Sequence, residues 1–251
     1  MKRIIAAVTA FGLIVALAAL TFFLGYWRFN YPSAEKYQIR GIDVSHHQGE
    51  IDWDRIAREG YRFVYIKATE GGDFKDPRFQ RNWAEAKRVG LIRGAYHFFT
   101  FCKPGVEQAS NFTSVVPEDS EALPPVIDFE FVGNCRERPP RKAVLVELFA
   151  YAKLVREKCG KDPILYVTRA AHSQYLEGEI DDYRIWIRDI FRQPGRIDGK
   201  QWVIWQYADN VRINGVPRPG DQNVFYGGEQ DFLLLRTLSA NHAVRPQNNH
   251  P

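Results

Sequence analysis

The chain has 251 residues, of which 45% are hydrophobic and 14% aromatic, enough for one core of ordinary domain size. Its 34 lysines and arginines against 30 acidic residues give a net charge of +4. The sequence lacks the long basic run or basic helix that nucleic-acid-binding proteins carry, so no nucleic-acid partner is expected. The small positive excess is compatible with an anionic polymer.

A long apolar segment follows the first three residues. Residues 4–27 read IIAAVTAFGLIVALAALTFFLGYW, without a charged side chain. As a helix this segment is ~36 Å long, enough to cross a hydrocarbon core of roughly 30 Å. A cleaved signal peptide has a shorter apolar region and a small-x-small site, and none follows Leu24. We expect an uncleaved single-pass anchor, with residues 1–3 in the cytoplasm by the positive-inside rule and the remainder outside the membrane.

Short apolar runs alternate with amphipathic segments after a polar linker, residues 28–39. Strands are predicted at residues 39–45, 63–69, 92–99, 124–131, 164–169, 184–189 and 203–208, with a last pair near 223–227 and 231–235; helices are predicted at 76–90 and 141–160. This alternation predicts α/β architecture with a parallel sheet. The number of strands, and the lack of a G-x-G-x-x-G after any of them, favour a single TIM-like β/α barrel over an open sheet. The barrel is assigned to residues 40–238, and the tail, 239–251, is predicted to be disordered.

Three cysteines, Cys102, Cys135 and Cys159, occur without a zinc-binding spacing. They are consistent with a compartment outside the cytoplasm, where one pair is oxidised and one thiol remains. Cys102 and Cys135 both follow apolar runs and are the favoured pair, although the sequence alone leaves the connectivity open.

Polar residues occur at the end of nearly every predicted strand. In β/α barrels the reacting groups lie at these C-terminal ends, so the pattern indicates one shared site. Carboxylates and amides beside aromatic rings are typical of a carbohydrate site. The candidates are Asp43, Lys67, Glu70, Tyr96, Asp128, Glu130, Tyr166, Trp186, Gln206 and Asp221.

The run PPVIDFEF, residues 124–131, sets two carboxylates one residue apart at the end of an apolar strand. Side chains alternate across a strand, so Asp128 and Glu130 face the same way and Phe129 faces the other. Two adjacent carboxylates repel, and the more buried one takes a raised pKa. A glycosidase needs such a protonated acid together with a group that stabilises the charge on the sugar carbon.

Six ordered motifs resemble those of glycoside hydrolase family 25, the N-acetylmuramidase lysozymes. The motifs are GIDVSHHQGEIDW, FVYIKATEG, GLIRGAYHFF, PVIDFE, LYVTR and WQYA, within residues 40–236. The resemblance implies a β/α barrel with irregular, partly antiparallel closing strands. It also implies hydrolysis of the β-1,4 bond from N-acetylmuramic acid to N-acetylglucosamine in peptidoglycan.

The resemblance also implies roles for single residues. Glu130 matches the proton donor, and Asp128 matches the carboxylate that stabilises the transition state, by orienting the substrate's 2-acetamido group. Asp43 and Asp221 match two further active-site acids. Sugar contacts are implied for Tyr96, Tyr166, Trp186 and Gln206. Retention would follow from acetamido participation, and inversion through an activated water stays open.

Three alternatives remain beside this interpretation. Lys67 and Glu70 either contact the sugar or pair with each other or with Asp43. His46 and His47 suggest a metal, but adjacent strand residues point apart and no third ligand has a recognised spacing, so no metal or cofactor is expected. A peptidoglycan-binding protein of the same fold without turnover would lack one of the acids, and all four are present. The oligomeric state is not indicated.

Overall fold

The computed structural model describes residues 1–28 and 30–237. Eight strands form a closed barrel, and a ninth strand of two residues pairs with the end of one of them. The strands are β1 (Arg40–Val44), β2 (Phe63–Glu70), β3 (Phe74–Lys75), β4 (Ile92–Phe98), β5 (Val126–Phe129), β6 (Ile164–Thr168), β7 (Arg184–Arg188), β8 (Ile204–Val211) and β9 (Gly220–Phe225). The predicted barrel is confirmed.

The sheet order is β1-β9-β8-β7-β6-β5-β4-β2-β3, and β1 also pairs with β2, which closes the barrel. Neighbouring strands from β1 through β2 and β4 to β8 are parallel. β9 lies antiparallel between β8 and β1, as the expected antiparallel closing strand. All C-terminal ends of the parallel strands therefore meet at one face of the barrel.

Helices connect the strands and cover the barrel. They are α1 (Lys2–Phe23), α2 (Trp53–Arg58), α3 (Phe79–Arg88), α4 (Gly105–Thr113), α5 (Arg141–Cys159), α6 (Arg169–Ala171) with a π-helical turn (His172–Leu176), and α7 (Glu229–Thr237); a 3₁₀ turn spans His46–Gln48. The strand predicted at residues 231–235 is wrong, because these residues belong to α7. Phe232 and Leu235, three positions apart, turn to the core, and acidic residues in the first turn suit a helix start.

The ends of the chain differ in part from the sequence-based boundaries. Helix α1 ends at Phe23, so residues 24–27 of the predicted span leave the helix. The predicted disordered tail, residues 239–251, lies outside the described residues, as does position 238. Cys102 and Cys135 form a disulfide, which confirms the favoured pair, and Cys159 is a free thiol.

Large aromatic side chains fill the barrel interior, and glycines on adjacent strands make room for them. Phe63, Tyr65 and Trp186 are all fully buried there. A Cβ atom on Gly41 would lie 2.4 Å from the Phe63 ring, and one on Gly94 would lie 2.2 Å from the Tyr65 ring. The Tyr65 hydroxyl donates to the Pro124 carbonyl at 3.1 Å, so this ring is fixed at both ends.

Gly94→Ala is therefore expected to destabilise the barrel by about 1–3 kcal/mol, the usual range for overpacking a filled core. Urea unfolding followed by tryptophan fluorescence measures this difference. Gly195→Ala is the control, since nothing lies within 4 Å of the position that its methyl group would occupy. Equal unfolding midpoints for the two variants would contradict this packing account.

Candidate active site

A polar cavity opens at the C-terminal ends of the barrel strands. It is continuous with a second, shallower cavity, because Glu130, Tyr166, Gln206 and Asp221 line both. The inner cavity is lined by Asp43, Tyr96, Val126, Asp128, Glu130, Tyr166, Trp186, Gln206 and Asp221. The structure thus brings eight of the ten sequence-predicted site residues to one cavity, seven of them on seven different strands and Glu130 directly after β5.

Asp128 and Glu130 lie side by side at the end of β5, while Phe129 packs in the core against Phe101. Burial raises the pKa of Glu130 to about 7, although Arg188 opposes the rise. Burial and the neighbouring Glu130 charge raise the pKa of Asp128 well above its usual range. The pair therefore retains a proton near neutral pH, as a general acid requires.

The buried Oδ1 atom of Asp128 has no hydrogen-bond partner among residues 1–28 and 30–237. Buried polar atoms are nearly always paired, so an unpaired one inside a polar cavity marks a position for a ligand atom or a water. Asp128 lines the same inner cavity as Glu130. Asp128 can therefore bind a substrate group directly beside the proposed acid.

Asp43 and Asp221 form a second carboxylate pair, directly opposite each other on β1 and β9. Burial raises the pKa of Asp43, against hydrogen bonds donated by Asn223 at 2.7 Å and Gln206 at 3.0 Å. Burial and the Asp43 charge raise the pKa of Asp221 well above its usual range. Opposed acids at this spacing are stable when they share a proton.

Aromatic and amide side chains complete the cavity wall. The Tyr166 hydroxyl donates to Gln206 Oε1 at 3.0 Å, and Trp186 Nε1 donates to Asn223 Oδ1 at 2.9 Å. Trp186 and Tyr166 meet edge to face, with ring centroids 5.1 Å apart. This network fixes the rotamers of the polar groups before any ligand binds.

Lys67 and Glu70 lie beside the cavity but are not among its lining residues. Lys67 Nζ donates to Glu70 Oε2 at 2.6 Å and lies over the Phe98 ring at 5.1 Å. The positive charge of Lys67 lowers the pKa of both Asp128 and Glu130, against the effect of burial. The pairing alternative is thus observed, and direct sugar contact by these two residues stays a prediction.

The run WIRDI, residues 186–190, places one charged residue in the cleft and buries the next. Arg188 lines the outer cavity and forms an ion pair with Asp209 there. Asp189 is buried, accepts hydrogen bonds from the backbone of Phe191 and Arg192, and pairs with Arg169. Arg188 is therefore available to a substrate, whereas Asp189 supports the loop.

A disulfide and one asparagine hold the loop that follows Glu130. Asn134 Nδ2 donates to the carbonyl oxygens of Glu130 at 2.9 Å and Phe99 at 2.8 Å, and its Oδ1 accepts from Phe101 N at 3.0 Å. The Cys102–Cys135 disulfide joins the same two loops. These contacts fix the backbone from which the Glu130 side chain projects.

His46 and His47 have a different arrangement from a metal site. His46 Nδ1 lies 2.8 Å from Asp76 Oδ2, and the two histidine rings lie 4.0 Å apart. Within residues 1–28 and 30–237, no group of three or more His, Cys, Asp or Glu residues is placed to hold a metal ion. His46 and His47 belong to a turn that is held by hydrogen bonds between His46 and Asp76.

Sequence reasoning missed two residues of this site. Asn223 is fully buried and joins Asp43 to Trp186. It lies two positions after Asp221 on β9, so strand alternation was the available signal. Asn134 carried no such signal, because its role depends on a loop conformation.

Arg188→Met is expected to move the alkaline limb of the pH profile of kcat/KM to higher pH. The guanidinium lowers the pKa of Glu130, so its removal lets Glu130 keep its proton, and hence its activity as an acid, at higher pH. Arg192→Met is the control, because this exposed arginine pairs with Asp189 outside the cleft. An unchanged limb, or one shifted to lower pH, would contradict this assignment.

Comparison with known proteins gives a consistent result. The family model described as glycosyl hydrolases family 25 matches residues 42–216. Lysozyme M1 of Streptomyces globisporus is 30% identical over 218 residues, which are 82% of this chain and 74% of that protein. The uncharacterized protein YegX of Escherichia coli strain K12 is 37% identical over 201 residues, which are 78% and 72% of the respective chains.

A solved family 25 glycosyl hydrolase from Bacillus anthracis superposes with a TM-score of 0.78 at 37% identity, over 83% of this chain and 98% of the other. The region that the family model matches includes Asp43, Asp128 and Glu130. The sequence comparison and the structural comparison indicate the same family, and a glycosidase of this family is consistent with the acidic cavity. The chain therefore belongs to glycosyl hydrolase family 25.

Proposed function

We propose that the protein is a muramidase that hydrolyses the β-1,4 bond between N-acetylmuramic acid and N-acetylglucosamine in peptidoglycan. The observation that carries the proposal is the half-buried Asp128–Glu130 pair at the end of β5 in a family 25 barrel. The relative named lysozyme M1 supports the same substrate. A binding protein without turnover is less well supported, because both carboxylate pairs are intact and share one cavity.

Glu130 is the proposed general acid. With its pKa near 7, about half of the Glu130 side chains are protonated at neutral pH, and the protonated form donates to the glycosidic oxygen as the bond to the sugar carbon breaks. The carboxylate that results then takes a proton from the incoming water. The Asn134 contact to the Glu130 carbonyl keeps the side chain at the cavity wall through both steps.

Asp128 is the proposed partner of the substrate's 2-acetamido group. Its unpaired Oδ1 accepts the amide N–H, which turns the acetamido carbonyl oxygen toward the anomeric carbon. That oxygen forms a bond to the anomeric carbon as the leaving group departs, which closes a five-membered ring. Water later attacks the anomeric carbon and opens this new ring. Two displacements retain the configuration of the sugar.

Asp43, Asp221 and Gln206 are proposed to bind sugar hydroxyl groups at the floor of the cavity. Tyr96, Tyr166 and Trp186 line the wall against which the apolar faces of the rings pack. None of these steps requires a metal or an organic cofactor. Lys67 and Glu70 are proposed to act on the acids through charge, and to reach the sugar only at its edge.

The N-terminal helix is proposed to anchor the enzyme in the bacterial inner membrane, with the barrel outside the cytoplasm. Helix α1 has 22 residues, its most apolar 18-residue window has a mean hydropathy of 2.5, and none of that window is buried. Lys2 and Arg3 set the orientation by the positive-inside rule. In this proposal α1 crosses the membrane, residues 24–39 join it to the barrel, and the catalytic barrel begins at residue 40.

Incubation with two glycans tests the activity. We expect the full-length chain in detergent to release reducing ends from purified peptidoglycan glycan strands and to leave chitin oligomers, which lack muramic acid, largely intact. Equal cleavage of both would point to a hexosaminidase with no need for the lactyl group. No cleavage of either, with wall material still bound, would favour the binding protein.

A further inference from the structure

The segment that follows helix α1 is joined to the barrel by one backbone hydrogen bond and by arginine side chains. We call residues 24–28 the juxtamembrane segment and residues 204–225 the β8–β9 hairpin. Arg212 N donates to the Gly25 carbonyl at 2.9 Å, and Arg212 Nε donates to the Leu24 carbonyl at 3.1 Å. The Arg212 guanidinium also lies over the Tyr26 ring at 4.4 Å. A flexible tether would make no such contacts.

Arg28 ties the last turn of α1 to the same hairpin. Its side chain is 5% exposed and donates to the carbonyl oxygens of Phe22 at 2.6 Å, Asp209 at 3.0 Å and Asn210 at 2.6 Å. The Phe22 carbonyl also accepts a hydrogen bond from Gly25 N at 3.0 Å, so the guanidinium is a second donor at the C-terminal end of α1. A buried arginine with these partners holds the helix end in one position.

Gly25 allows the close approach of the two segments. Its φ is +76°, and a Cβ atom there would lie 2.5 Å from the Asn210 carbonyl oxygen. Both the backbone conformation and the space therefore require glycine. Any larger residue must move the juxtamembrane segment away from the hairpin.

The hairpin residues that receive the anchor also border the cleft. Asp209 and Asn210 line the outer cavity. Asn210 N donates to Asp221 Oδ1 at 3.2 Å, and Asp209 pairs with Arg188. The side of the cleft formed by β8 and β9 therefore lies where the chain enters the membrane.

Exposed aromatic side chains follow the apolar helix, close in sequence to the residues that contact the hairpin. Tyr26, Trp27 and Tyr31 are 61%, 38% and 54% exposed, directly after the apolar helix. Tyrosine and tryptophan concentrate at the interface between headgroups and hydrocarbon. The exposed helix, these rings and the fixed hairpin together present one surface to a lipid bilayer.

We propose that the juxtamembrane segment is a rigid mount that holds the β8–β9 side of the cleft against the outer surface of the membrane. The inference rests on the membrane anchor in the proposed function. Its consequence is that the enzyme meets glycan strands that run next to the bilayer. The opposite end of the barrel points away from the lipid, and β2, with eight residues at about 3.3 Å each, is ~26 Å long.

Fluorescence quenching of the full-length chain in lipid vesicles tests this orientation. A dye is placed on Arg218→Cys in the hairpin or on Glu121→Cys at the far end of the barrel, both exposed sites. Cys159→Ser removes the free thiol. With nitroxide groups on the lipid heads, we expect strong loss of fluorescence at position 218 and little at position 121.

Gly25→Ala should abolish the difference between the two labels, because the mount can no longer dock. Gly12→Ala, inside α1 with nothing within 4 Å of the added methyl, should preserve it. Arg28→Met is a second disrupting variant. Equal quenching of both labels in the parent chain, or an unchanged difference in both Gly25→Ala and Arg28→Met, would overturn the proposal.

Two further readouts separate this inference from the proposed function. Co-flotation with vesicles reports insertion, and digestion of wall fragments in detergent reports activity. A chain that digests fragments but fails to float overturns the anchor and the mount together. A chain that floats with the expected quenching but digests nothing supports the mount and counts against the muramidase.

Discussion

We expect Glu130→Gln to lower the rate of peptidoglycan hydrolysis by about 10²- to 10⁴-fold, the usual contribution of a general acid. The amide keeps the shape of the carboxyl group but has no proton to give to the leaving oxygen. Initial rates of reducing-end release by the full-length chain measure the loss. Glu137→Gln, an exposed residue of the loop that follows, is the matched control.

The free energy of unfolding shows whether Glu130→Gln loses activity because the acid is absent or because the protein is unfolded. The pKa of Glu130 is about 7 in the folded protein against a usual value of 4.5, so the folded state binds the extra proton between these values. The stability of the parent chain therefore falls as pH rises from the lower value through the higher one. Glu130→Gln removes this dependence and should be more stable than the parent chain at alkaline pH. Near-parental turnover in Glu130→Gln would refute the assignment of the acid.

Asp128→Asn is expected to lower kcat by about 10²- to 10³-fold with a smaller change in KM, because the carboxylate acts on charge that develops in the transition state. When the proton that the pair retains is on Glu130, Asp128 is charged; the amide of the variant has the same shape but removes this negative charge from beside the acetamido group. Asp182→Asn, on an exposed turn, is the control. Steady-state kinetics on soluble glycan fragments separate the two constants.

An aryl glycoside separates the roles of the two carboxyls. A phenolate leaves without a proton, so this substrate should restore much of the lost rate in Glu130→Gln. Asp128→Asn should stay slow, since the acetamido group is still poorly oriented. Equal rescue of both variants would mean that Asp128 serves the leaving group and not the acetamido group.

The side-by-side arrangement of Asp128 and Glu130 follows from the two-residue period of a strand, and it was predictable from the sequence alone. The pairing of Asp43 with Asp221 was not, because it depends on the antiparallel register of β9 against β1. That register is set by a long hairpin whose geometry no local pattern encodes. The resemblance implied both residues as acids, but not that they face each other.

Other differences between the predictions and the structure have separate physical causes. Residues 231–235 contain three consecutive leucines, which suit a helix as well as a buried strand, and the position of Phe232 and Leu235 on one face decides for the helix. Lys67 was predicted to be a site residue because it lies at a strand end. Its long side chain reaches Glu70 instead of lining the cavity. The contact of Arg28 with the hairpin spans 181 residues of sequence, a separation at which sequence patterns carry no information.

Identification of the new reducing end in digested peptidoglycan tests the central claim most directly. Reduction of the products with borohydride, followed by mass analysis, marks the sugar that each cleavage exposes. We predict muramitol-terminated fragments from the full-length chain and none above background from Glu130→Gln. Glucosaminitol-terminated fragments, or muramitol in equal amounts from both proteins, would contradict a muramidase that uses Glu130 as its acid.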